Sequence, residues 1–228
     1  MLGPLLFLCH INDLPSAVRS HLRLFGDDCF LYREIHSRQD HIILQQDPQQ
    51  LEIWEGQLGP KFNARKCYIM SLRSKSSHLY SLENHILKQV PSIPYLGVQL
   101  SESLSGSEHI NTITRKANSC LGLLRRNLRS CPEECRRIVY LALVRSVLEY
   151  SAVVWDSHQQ RGFDKLEDVQ RRAARFIKQY RSRQPGSITK MLKDLNLPSV
   201  QDRWREKRLS CSTKLLKVSS QPFQQNLF

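Results

Sequence analysis

The sequence predicts an α+β fold, with short strands and a helix up to about residue 100 and a wholly helical part beyond. Three observations predict it. Two short apolar segments, Leu22-Arg23-Leu24-Phe25 and Cys29-Phe30-Leu31-Tyr32, flank Gly26-Asp27-Asp28, the pattern of a β-hairpin closed by a tight turn. From Ser107 onward apolar residues recur every three or four positions, which is a helix period. Charge divides along the same line. Residues 1–100 carry 10 Lys/Arg against 9 Asp/Glu, and residues 101–228 carry 24 against 12. A chain of 228 residues with 40% hydrophobic content has room for one large core or two small ones.

Taken in order, residues 5–9 are an apolar run of the buried kind with no preceding element to cover it, so the chain reads as opening inside a domain. The hairpin comes next. Residues 39–55 predict a helix through Ile42, Ile43, Leu51 and Trp54, with Pro48 expected to kink or split it. Short strands are expected around residues 67–72 and 95–100. In the second part Ile110, Ile113, Ala117, Leu121, Leu124 and Leu128 form one apolar stripe. Pro132, Glu133 and Glu134 suit the first turn of a second helix that continues through Ile138, Leu141, Val144 and Leu148. A third turns Phe163, Leu166, Val169, Ala173 and Phe176 inward and presents Arg171, Arg172, Arg175 and Lys178 on another face. A short fourth helix occupies residues 188–195, before Pro198. A last helix carries Trp204, expected in the core, and the basic run 203–208, until a Ser/Gln-rich tail. There are no internal repeats.

The net charge of +13, nearly all of it in the later part, points to a polyanionic partner bound with counterion release. The alternative is that these residues, with Arg125 and Arg126, are only the solvated sides of amphipathic helices. Seven scattered cysteines read as reduced and intracellular, and Cys131 and Cys135 as buried small hydrophobes rather than a zinc pair. The first eleven residues lack the basic start of a signal peptide. No stretch approaches the roughly 20 apolar residues that span a bilayer, so no membrane association is expected.

Phe25-Gly26-Asp27-Asp28 holds two adjacent carboxylates at the tip of the hairpin. An ordinary solvent-exposed Gly-Asp turn explains them. So does a site for a hard divalent cation, which prefers carboxylate oxygens.

Other segments add context. Leu2-Gly3-Pro4-Leu5-Leu6-Phe7 is followed by Ile11-Asn12-Asp13-Leu14-Pro15, then by Leu24-Phe25-Gly26-Asp27-Asp28, Lys61-Phe62-Asn63 with Lys66-Cys67, and Tyr95-Leu96-Gly97-Val98. Beyond these come Ala142-Leu143-Val144-Arg145, Leu148-Glu149-Tyr150, Val154-Trp155-Asp156 and Val169-Gln170-Arg171-Arg172-Ala173-Ala174-Arg175-Phe176. In this order and at these separations the segments resemble the reverse transcriptases of LINE-type, non-LTR, jockey-like retrotransposons. The likeness covers nearly the whole chain. It implies part of a right-hand polymerase palm over residues 1–100, a helical thumb over 101–160, a basic helical extension over 161–218 and a disordered tail over 219–228.

The resemblance further implies two Mg2+ ions and, as partners, an RNA template, a DNA primer and deoxynucleotides. Asp27 and Asp28 would be the metal ligands, and Lys66 would steady phosphate charge or protonate pyrophosphate; a solvated loop lysine is the other reading of Lys66. Gly3, Pro4, Phe25 and Gly26 would lie against nucleotide and template, and Tyr95, Leu96 and Gly97 beside the primer. Arg125, Arg126, Arg171, Arg172, Arg175 and Lys178 would hold the nucleic-acid backbone. The family also uses an aspartate from a motif upstream of Gly3, and neither Asp13 nor Asp40 suits that role. Little activity is therefore expected from these residues alone, and a non-catalytic nucleic-acid-binding remnant is the alternative. Gly26, where the family more often has alanine, is expected to loosen the hairpin, and Pro48 and Gly59-Pro60 to interrupt the helix before Lys66.

Overall fold

The computed structural model describes residues 2–58, 61–73, 78–155, 160–180 and 186–219. It is mixed α and β, as expected, and divides into two compact units, residues 1–93 and 94–228.

In the first unit α1 (Gly3–Ile11) and a 3-10 turn (Leu14–Ala17) lead into β1 (His21–Phe25) and β2 (Asp28–Tyr32), and α2 (Arg38–Leu58) follows. One apolar cluster unites them: Ile11, Leu14, Leu22, Leu51 and Trp54 are buried, with Phe7, Leu24, Leu31 and Phe62 packed against them. The run at residues 5–9 does not match its buried look. It lies in α1 with Leu5 61% exposed, and only Phe7 and Ile11, four apart on one face, reach the cluster.

Pro48 does not split α2, which runs unbroken for 21 residues. An interior proline costs about 3 kcal/mol, and burial of Leu51 and Trp54 just beyond it offsets that, at about 1.5–3 kcal/mol for a large apolar side chain. Asp47 also fixes the helix here. Its buried carboxylate accepts the backbone N–H of Arg19 (2.8 Å) and of Ser20 (3.1 Å). Gly59-Pro60 lies outside the described residues.

Past α2 the strands are short: β3 (Tyr68–Ile69) pairs in parallel with β6 (Lys88–Gln89), and β4 (Ser81–Leu82) pairs antiparallel with β5 (His85–Ile86). The strand expected over residues 95–100 is instead a hairpin of β7 (Ser92–Tyr95) and β8 (Val98–Ser101). Leu96 and Gly97 both have positive φ, 46° and 79°, the signature of a two-residue type I′ turn.

The second unit is helical from α3 (Ser107–Asn127) through α4 (Glu133–Val139), a π-helical segment (Tyr140–Arg145), α5 (Ser146–Glu149) and α6 (Ala152–Trp155), then α7 (Gln160–Ile177), α8 (Ser187–Asp194) and α9 (Val200–Ser219). The stripe on α3 and the inward face of α7 are buried as their spacing predicts, and Trp204 is in the core, edge-on to Trp155 at 4.5 Å. In the second predicted helix Ile138 is exposed. The buried positions there are Arg136, Tyr140, Val144 and Leu148, together with Arg145 and Glu149. The wider turn of the π segment explains the shift, since it stretches the inward repeat to four residues and brings two charged side chains inside. Cys131 and Cys135 are half-buried rather than buried. The last helix reaches Ser219, and residues 220–228 lie outside the described residues. No helix among the described residues is long and apolar enough to cross a membrane.

Candidate active site

Phe25 pairs with Asp28, so the hairpin turn is only Gly26-Asp27, and Asp28 is the first residue of β2. Gly26 has φ +59° and Asp27 is not left-handed, the type II′ pattern with glycine in first place. The expectation that Gly26 loosens the hairpin is thereby corrected. The turn needs a residue free of Cβ strain, and glycine meets that need. Phe25, Gly26, Asp27 and Asp28 are all exposed, Phe25 by 65%, while Leu22, Leu24 and Leu31 hold the base of the hairpin in the apolar cluster.

The same cluster gathers two other segments singled out in the sequence. Gly3 and Pro4 form the exposed first turn of α1, whose other end supplies Phe7 and Ile11. Lys66, exposed in a 3-10 turn (Ala64–Lys66), follows Phe62, whose ring lies 6.4 Å from that of Trp54 and whose N–H donates to Glu55 (3.2 Å). Cys67 neighbours Cys29 on β2. Cys29 is exposed as a residue, yet its thiol pKa is raised, by desolvation first and by Cys67 second.

Among the described residues no three His, Cys, Asp or Glu side chains converge as a metal site. Asp40 is committed elsewhere, as its sequence context suggested. Its carboxylate accepts from the Ser37 hydroxyl (2.9 Å), Arg33 Nε (3.0 Å) and the N–H of Ser37 and His36, which together hold its pKa down to about 2. Asp13 is exposed at the start of the 3-10 turn that precedes β1.

In the second unit Tyr95, Leu96 and Gly97 close the β7–β8 turn, and Tyr150 clamps it. The Tyr150 hydroxyl donates to the Leu96 carbonyl (2.9 Å), its ring lies over Gly97, and Trp155 Nε1 donates to the Tyr150 carbonyl (2.7 Å). Next to it Glu149, 8% exposed, accepts from Arg145 Nε (2.7 Å), from Arg203 Nε and Nη2 (2.5 and 2.9 Å) and from Lys207 Nζ (3.0 Å). Burial works to raise the Glu149 pKa, and the hydrogen bonds from Arg203, Arg145 and Lys207 overcome it and bring it down to about 2. Sequence reasoning missed this cluster. The i,i+4 spacing of Arg145 and Glu149 was a usable signal, but nothing local foretold Arg203 and Lys207.

The basic residues are distributed unevenly. Arg125 and Arg126 are exposed in the last turn of α3. On α7, Arg171 meets Asp168 (3.3 Å), Arg172 meets Asn118 (3.1 Å) and Arg175 is half-buried, and just past its end Lys178 meets Glu133 (2.6 Å). Acidic partners therefore come from Asp168 one turn back and from Glu133 on α4, which the scarcity of nearby carboxylates did not suggest.

No family model and no solved structure matches the chain. Two curated proteins of Drosophila melanogaster do. The chain is 26% identical over 219 residues to the "Probable RNA-directed DNA polymerase from transposon BS", an alignment that takes in 89% of this chain and 24% of that protein. It is 28% identical over 185 residues to the 115 kDa protein of the type-1 retrotransposable element R1DM, covering 75% of this chain and 17% of that protein. The chain thus spans about a quarter or less of the length of these relatives.

Proposed function

We propose that this chain, similar to two Drosophila transposable-element proteins of which one is named an RNA-directed DNA polymerase, is part of a reverse transcriptase of a non-LTR retrotransposon: a portion of the palm followed by a helical thumb and a basic extension. The observation that carries the reading is the exposed Asp27-Asp28 pair at the tip of a hairpin whose base shares one apolar cluster with α1 and with the segment leading to Lys66. These are three of the segments that resemble the family, separate in sequence and gathered by one core.

Two open carboxylates side by side suit Mg2+, which binds one or two carboxylates and completes its shell with water and substrate phosphate. Bound there, Mg2+ would stabilise charge as a primer 3′ hydroxyl attacks the α-phosphate of a deoxynucleotide. Asp27, in the turn itself, would be the principal ligand. Asp28, at the strand start, would add negative potential beside it. Lys66 would neutralise phosphate charge as pyrophosphate leaves, and the thumb would hold the template and primer through their phosphates. A further carboxylate from outside these residues would complete the site.

Primer extension on an RNA template with magnesium and deoxynucleotides tests this. The chain alone should extend little. A version carrying additional upstream protein should extend, and Asp27→Ala should abolish that by at least about 100-fold. Silence from the longer version would favour a binding role without catalysis.

A further inference from the structure

An open groove of about 730 Å³ in the second unit is lined by Arg137, Arg145, Arg203 and Lys207 and by a single carboxylate, Glu149. Tyr150 and Ser151, beside the clamped turn, and Asn196 are among the residues of its wall. Three of the cations hydrogen-bond the one Glu149 carboxylate, an excess of two positive charges over it, and Glu206 near Arg203 and Glu167 near Arg145 offset that excess only from outside the hydrogen-bonded set. The fourth, Arg137, is held by the Leu195 carbonyl (3.0 Å) and by Glu134 (3.3 Å). An anion in the groove would lower the repulsion among these like charges. Arg145 and Glu149 are the deep members, while Arg203 and Lys207 keep about a third or more of their side-chain surface open, 33% and 40%. Each can therefore hold Glu149 and still offer N–H donors outward. Arg145 is buried and has one Nη2 without a hydrogen-bond partner, so the pair beneath the groove is itself under-satisfied.

We propose that this groove is a phosphate seat for a nucleic-acid strand, with Glu149 as the positioning residue that presets Arg203 and Lys207. Guanidinium groups suit phosphate oxygens, which they can bond in pairs. Arg203 and Lys207 lie one helical turn apart on α9 and face the groove together. The choice of a strand as the anion rests on the polymerase reading; the seat itself rests on the groove.

The test is fluorescence anisotropy of a labelled single-stranded oligonucleotide with the full chain between 50 and 200 mM salt, compared across Lys207→Ala, Lys207→Arg and Arg203→Lys. Lys207→Ala should weaken binding and make the slope of log affinity against log salt shallower by about 0.7, the share of one single-strand phosphate. Lys207→Arg should restore the slope. Arg203→Lys should keep the slope while lowering affinity, because the paired geometry is lost. Melting temperatures identify any loss that comes from misfolding, and the arginine replacement separates charge from structure in either case. An unchanged slope in Lys207→Ala, with the parent chain still binding, would overturn the seat and leave the polymerase reading intact. A seat that behaves as expected beside silent primer extension by the longer protein would overturn that reading alone. Failure of the parent chain to bind the oligonucleotide would overturn the seat.

Discussion

At Gly97 the backbone has φ +79°, and a Cβ would lie 3.0 Å from Cε1 of Tyr150. At Gly26 φ is +59° with open space around it. The two glycines therefore answer differently to the same change. Gly26→Ala should cost only the left-handed backbone penalty, about 1 kcal/mol. Gly97→Ala carries that penalty and also forces Tyr150 aside, which breaks its bond to Leu96; about 2–3 kcal/mol is expected in all. Urea midpoints of the two variants would measure the difference, and equal shifts would mean that Tyr150 yields freely. The first turn was legible in the sequence because glycine and aspartate announce it. The second was not. Leu96 looks like a strand residue and rarely takes positive φ, so only the hydroxyl of Tyr150, 54 positions away, accounts for it. The same holds for Glu149, whose partners Arg203 and Lys207 reach it from α9.

At the scale of elements, amphipathic spacing predicted α3, α7 and α8 well, since each lays a single apolar face on the core of the second unit. It failed where the helix period changes, over Tyr140–Arg145, because a π turn moves the inward face without altering composition. At Pro48 the split that local chemistry argued for is absent, and tertiary packing prevailed. That contest is measurable. Pro48 removes one helix hydrogen bond and crowds the preceding turn, so Pro48→Ala should stabilise the first unit by about 1–3 kcal/mol while Asp47 keeps its bonds to Arg19 and Ser20. A rise in the unfolding midpoint reported by Trp54, which lies in the same helix, is the expected result. A fall would mean that the rigid φ of proline contributes more to ordering α2 than the missing bond removes.

On the scale of the whole molecule, acid should unfold the two units in a definite order. The second unit holds two groups that disfavour protons. His109 accepts the Gln99 N–H on Nδ1 (3.1 Å), so that nitrogen is unprotonated, and its pKa is lowered, chiefly by burial and then by Lys116. Glu149 is held near 2 by its three cations, below the 4.5 of a free glutamate. The first unit has Asp40, also near 2, against 3.8 when free. All three folded values lie below the unfolded ones, so each contribution is complete above the unfolded pKa and is lost as pH falls toward the folded one. The second unit should therefore begin to weaken below about pH 6.5 through His109 and weaken further below 4.5 through Glu149, while the first unit holds until near 3.8. The net charge of +13 grows over the same range and adds repulsion to both. The three tryptophans divide conveniently, Trp54 in the first unit and Trp155 and Trp204 in the second. In Trp54→Phe protein, fluorescence during urea unfolding reports the second unit alone, and its midpoint should fall from pH 7 to 5.5. The parent protein should show the Trp54 signal lagging behind. Replacing His109 with Gln, which keeps an acceptor for Gln99, should flatten the change between pH 7 and 5.5 and leave the loss below 4.5 in place. If Trp54 moves first instead, the buried histidine is not what sets the acid limit of this chain, and the burden shifts to charge repulsion acting on the smaller core around the hairpin.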